Sequence, residues 1–116
     1  MLYKGDNMTK KLQEKIEEKK EKTMQLKFAI NDYTCLKLKY MKLSNDYLLH
    51  TDFKEATGEA RPTVAMKEAY IDSELFDLKT EVTIAKENIN CIKRDIEILN
   101  DEIRLCEYQI KLELKE

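Results

Sequence analysis

Apolar residues recur along this chain at steps of three and four almost from end to end, the spacing of one face of an α-helix. From Val64 onward the pattern is that of a coiled coil. Leu75, Val82, Ile89, Ile96, Ile103 and Ile110 fall at one heptad position, a, and Val64, Ile71, Leu78, Ala85, Ile92, Leu99 and Cys106 at the other, d. The alternation of three and four runs unbroken for over five heptads, a specific signal for a long helix with a partner along its seam. A further row falls at position c: Tyr70, Ile84, Cys91, Ile98, Leu105 and Leu112. The g residues Glu74, Glu81, Asn88, Asp95 and Glu102 separate it from the seam. A two-stranded coiled coil would leave that row in water, so two readings stand open. One is a wide core face in a simple hairpin. The other, which we favour, is a second helix–helix contact, with these six residues as the oligomer interface.

The first half of the chain is patterned less cleanly. Leu12, Ile16, Thr23, Leu26, Ile30 and Tyr33 recur at helical steps, with charge interrupting at Lys19. After Tyr33 the stripe shifts by three and continues through Leu36, Tyr40, Leu43 and Tyr47, which predicts a stammer that overwinds the helix locally. Phe28, Cys35, Leu38 and Met41 lie beside the stripe and predict burial from more than one side.

Periodicity fails across "HTDFKEATGEARPT", which holds Gly58 and the only proline, Pro62. Gly58 is free to take a left-handed conformation, and Pro62 pushes Arg61 out of the α region. The two breakers therefore predict a corner, with a short helical turn around 52–57 and Thr63 as the N-cap of the next helix. The expected organisation is one domain: a frayed N-terminus over 1–8, a first long helix over 9–50, a connection over 51–63 and a second long helix over 64–116. A short connection makes antiparallel neighbours the economical arrangement. The fold class is thus all-α, a long antiparallel helical hairpin assembling into a helical bundle.

Composition sharpens this picture. Charged residues make up 38% of the chain and there is no Trp, which leaves little material for a compact core. The net charge of −2 conceals an asymmetry: residues 1–50 carry eleven Lys against seven acids, and residues 51–116 carry ten bases against sixteen acids. Halves of opposite sign suit two helices lying side by side. Cys35, Cys91 and Cys106 show no CxxC spacing, and with His50 as the lone histidine they predict no metal site. Small apolar side chains in a reducing cytoplasm are the expected role for them. No stretch approaches the length of a membrane span, so no membrane partner is expected.

The residues also lack the groups that catalysis needs. There is no phosphate-binding glycine loop, no HExxH, and no Ser/His/Asp set that a hairpin could bring together. We expect no enzyme, no cofactor and no small-molecule substrate. His50 stands where the first helix should end, suited to the negative end of the helix dipole. Three groups remain as contact candidates. Lys37, Lys39 and Lys42 lie among Tyr33, Tyr40 and Tyr47, and basic groups with aromatics can hold single strands. Packing of the tyrosines into the seam is the plainer alternative. Arg61 sits on a rigid corner within reach of a partner. The lysines between Lys10 and Lys22 are diluted by Glu14, Glu17, Glu18 and Glu21, which favours a solvated face.

The stretch "RPTVAMKEAYIDSELFDLKTEVTIAKENINCIKRDIEILNDEIRL" resembles small helical proteins encoded in the early or replication-recombination regions of bacteriophages. In these a polar segment ending in "KEAY"-like sequence leads into a long coiled coil. The architecture is similar to that of the recombination mediators of T-even phages, oligomeric helical hairpins that bind single strands and load a recombinase. The resemblance implies a non-enzymatic accessory in DNA recombination or replication, in the cytoplasm of a bacterial host. Its expected partners are further copies of itself, another protein, and single-stranded DNA. A pure protein-binding module, such as a phage inhibitor of a host or defence protein, is the alternative.

Overall fold

A computed structural model of the chain describes residues 4–115, with side chains from Asn7 onward. Helices α1 (Lys4–His50), α2 (Phe53–Thr57), α3 (Val64–Glu74) and α4 (Phe76–Lys115) make up nearly all of it, and no strand occurs among the described residues. The fold is all-α, an antiparallel helical hairpin. Helix α1 begins at Lys4, ahead of the expected start at residue 9; residues 1–3 lie outside the described residues. The expected second helix is two, parted at Leu75. Chain contacts divide the molecule into two compact units. One joins the α1 segment up to Ala29 with α4 from Asn88, and the other spans Ile30–Glu87.

The unit spanning Ile30–Glu87 contains the corner. Helix α1 ends at His50, and Asp52 caps α2 by accepting from the Glu55 N–H. Gly58 closes α2 in the left-handed region at φ 73°, where a side chain would be strained. Thr63 then starts α3, its Oγ1 accepting from the Met66 N–H at 3.2 Å. Gly58 acts as the sequence leads one to expect, and residues 58–63, Pro62 among them, lie outside the helices. The corner closes over Phe53, Ile71 and Leu75, against which Tyr40, Leu43, Tyr47 and Tyr70 pack. Tyr70 meets Phe53 and Tyr47 edge-on, with ring centroids 6.0 and 6.4 Å away. Tyr70 is therefore drawn into the corner core and does not continue the outward c row.

Leu75 leaves helical geometry at φ −103°, ψ 20°, yet its N–H still reaches Ile71 O and its carbonyl still accepts from Lys79. The seam keeps its register through this point. Asp72 spans it: one carboxylate oxygen accepts from Tyr40 Oη at 2.7 Å and the other pairs with Lys79 Nζ at 2.9 Å. The hydrogen bond from Tyr40 and the Lys79 ammonium hold the Asp72 carboxyl below its ordinary value. Bonding to that carboxylate, with burial, pushes the Tyr40 phenol up to about 12.

These shifts have opposite signs, so they bound a pH window. A raised phenol pKa contributes stability that is complete below about pH 10 and lost as pH climbs through about 12. A lowered carboxylate pKa contributes stability that is present above about pH 4 and lost as pH falls through its folded value. Tyr40→Phe should cost about 1 kcal/mol at neutral pH, below the usual range for a hydrogen bond to a charge because Asp72 is partly solvated. Urea titrations across pH check this: the difference between wild type and variant should shrink above about pH 10. A difference independent of pH would assign the loss to packing.

In the other unit, ion pairs show that the helices run antiparallel. Lys15 meets Glu102, and seven residues further along α1 Lys22 meets Asp95 at 3.2 Å, seven residues earlier along α4. The bond to Glu102 raises the Lys15 pKa. The α4 seam is as predicted, with Ile89, Ile92, Leu99 and Cys106 buried and Ile96, Ile103 and Ile110 half-buried. The α1 seam is not as predicted. Its protected positions here are Met8, Leu12, Lys15, Lys19, Lys22, Leu26 and Ala29, while Ile16 and Thr23 face out. In the corner unit the protected α1 positions are Tyr33, Leu36, Tyr40, Leu43 and Tyr47, while Ile30 faces out. Read along α1, the steps alternate four and three without interruption, so the stammer expected after Tyr33 does not occur. Three lysines occupy seam positions instead. Long lysine stems can cover apolar surface while their ammonium groups reach its edge, and those of Lys15 and Lys22 meet Glu102 and Asp95.

Candidate interaction surfaces

Each unit is a thin layer of packed helices. Among the described residues no large side chain is wholly enclosed, because two helices offer each other only one stripe apiece. Three features of the surface could act on something else.

The first is a groove of about 460 Å³ beside the corner, lined by residues including Tyr40, Leu48, Val64, Lys67 and Asp72. Val64 occupies a d position by sequence yet is exposed, since the α1 partner helix has ended near this level. Two of the groove's polar groups, Tyr40 and Asp72, are committed to one another. Both oxygens of Asp72 have partners, the Tyr40 phenol stays protonated at neutral pH, and the Lys67 ammonium sits 5.4 Å from the Phe53 ring centroid. An ionised carboxylate bound on both sides and a neutral phenol make a brace for the corner, with neither poised for proton transfer at neutral pH.

The second feature is apolar. On α4, Ile84, Cys91, Ile98, Leu105 and Leu112 all face outward, with Ile98 and Leu105 each 56% exposed. These five residues are not a wide core face, so that reading of the c row is excluded for them; Tyr70, the sixth, belongs to the corner core. On α1, Met24 and Phe28 in one unit and Cys35, Leu38 and Met41 in the other also face outward. Within the single chain Phe28, Cys35, Leu38 and Met41 are not buried from a second side. They lie on the back of the helix, away from the seam.

The third feature is the set of basic residues. Lys37, Lys39, Lys42 and Arg61 are all exposed. At 3.6 residues per turn, however, Lys37 falls on one flank of α1 and Lys39 and Lys42 on the other, roughly 150° away. The structure does not gather the three lysines into one patch. The Lys37 ammonium lies 5.8 Å from the centroid of its neighbour Tyr33. Tyr33, Tyr40 and Tyr47 are half-buried in the seam, so they give no open stacking platform.

Cys35 and Cys91 are exposed, and Cys106 is buried at its d position. No group of three metal-ligating side chains occurs among the described residues. No described helix is long and apolar enough to cross a membrane. The seam lysines Lys15 and Lys22 and the buried Ala29 were missed by sequence reasoning, while Lys19 was placed on the stripe as an interruption. Counting four and three backward from Tyr47 would have found them. Comparison with models of protein families finds no match, and comparisons with curated proteins and with solved structures find none either.

Proposed function

We propose that this chain is a non-catalytic helical adaptor that works by presenting apolar helix faces to other protein surfaces. The observation carrying this reading is the row Cys91, Ile98, Leu105 and Leu112, which stays exposed after the hairpin has formed its seam. Rows of large apolar side chains in water mark interaction surfaces. The resemblance to phage coiled-coil proteins supports a setting in DNA recombination or replication, as a mediator or single-strand-binding adaptor. The dispersal of Lys37, Lys39 and Lys42 over two flanks favours the second reading, a protein-binding module such as an inhibitor of a host or defence protein.

The experiment is single-strand binding measured by fluorescence anisotropy with a labelled oligothymidylate from 20 mM to 200 mM salt. Binding no tighter than about 10 μM at low salt, falling steeply as salt rises, is expected of scattered lysines. The Lys37→Glu, Lys39→Glu, Lys42→Glu triple variant should abolish what remains. Tight binding that survives Ile98→Glu and is lost in the triple variant would overturn the protein-directed reading and restore the strand-binding one.

A further inference from the structure

We propose that the partner of the exposed α4 row is a second copy of this chain, packed antiparallel to the first across residues 91–112. This rests on the adaptor reading and names one occupant of the face it describes. Cys91, Ile98, Leu105 and Leu112 recur at intervals of seven, the spacing at which one helix stays in contact with another. A two-fold axis midway between Ile98 and Leu105 sets Ile98 against Leu105 of the second copy, and Cys91 against its Leu112.

Charge then decides the direction. In an antiparallel pair like flank meets like flank, and numbers on the two helices run in opposite senses. That brings Glu97 opposite Arg104 of the second copy, twice by symmetry, and Arg94 opposite Tyr108, a guanidinium over an aromatic ring. Tyr108 is 61% exposed and available for it. The acidic flank does not oppose this approach. Glu102 and Asp95 are already paired within their own chain with Lys15 and Lys22. Asp101 meets its own mate near the axis, but Arg104 lies beside it at 3.8 Å in each copy. A parallel pair would lose both Glu97–Arg104 contacts.

Sedimentation velocity between 1 and 100 μM, with charge-swapped variants, tests the proposal. Wild type should show a concentration-dependent monomer–dimer equilibrium. Glu97→Lys should weaken it about tenfold by turning two attractions into two repulsions, and adding Arg104→Glu should restore it. Helix content should stay unchanged throughout, because residues 97 and 104 both face water in the monomer. Direction is read by oxidation in a Cys35→Ser background, which removes the other exposed thiol. Leu112→Cys should yield a cross-linked dimer through Cys91, and the parent should yield little, since antiparallel Cys91 residues lie about 30 Å apart. Cross-linking of the parent through Cys91 alone, or a charge swap without rescue, would overturn the antiparallel pairing. A monomer at 100 μM would overturn self-pairing and leave the adaptor reading to the strand-binding experiment.

Discussion

Leu99→Ala should destabilise the hairpin by about 3 kcal/mol, the middle of the range for a buried leucine cut back to alanine. Leu99 is 6% exposed at the d position of α4, and Ile92 and Cys106, one heptad to either side of it, are also buried. A two-helix layer can close over a void more easily than a globular core, which keeps the loss from the top of that range. Leu38→Ala makes the contrast. Leu38 is 59% exposed on the back of α1, so its loss should stay within about 0.5 kcal/mol. Urea titrations followed by circular dichroism, at a concentration where both proteins are monomeric, measure both. Equal losses would show that the two positions do not differ in burial, against the assigned faces.

Lys19→Leu should raise stability by about 1 kcal/mol, a gain that for a chain of this size moves the melting midpoint upward by about 4 °C. Lys19 sits half-buried at a seam position, between the ion-paired Lys15 and Lys22. A leucine there would bury a full apolar side chain where only a methylene stem is covered now. The gain is smaller than for a new core residue because the stem is already packed. Lys15→Leu should gain less, since it strips Glu102 of its partner. Polar residues at seam positions cost stability and fix register and partner choice. The leucine variant should therefore also associate less selectively, seen as higher oligomers in light scattering. A neutral or destabilising Lys19→Leu would place that lysine outside the seam.

The α4 heptads were fully legible because almost every seam position holds a large aliphatic residue, and five heptads of agreement leave no competing phase. The corner was legible for a different reason. Gly58, Pro62 and Thr63 each restrict the backbone locally, so their effect does not depend on what packs around them. Tyr70 shows the limit of that legibility. By spacing it belongs with the outward row, yet α2 brings Phe53 up beside it and closes the corner over its ring. The lysine patch failed for a simple geometric reason: closeness in sequence on a helix does not mean a shared face.

The all-α class, the antiparallel hairpin, the corner and the α4 seam come from the sequence by itself, since each depends on local backbone limits or on a long unambiguous repeat. The face that α1 turns toward α4 was decided only in the tertiary structure. Taken alone, Ile16, Thr23 and Ile30 are more apolar than Lys15, Lys22 and Ala29, and favour a stripe that shifts phase after Tyr33. The seam through Leu36, Leu43 and Tyr47 settles the rotation of the helix, and a phase shift upstream would require overwinding it. Lysine stems cover a seam at modest cost when Glu102 and Asp95 wait across it. The helix therefore keeps one phase, and Lys15 and Lys22 face inward where a reading by hydrophobicity alone sets Ile16 and Thr23.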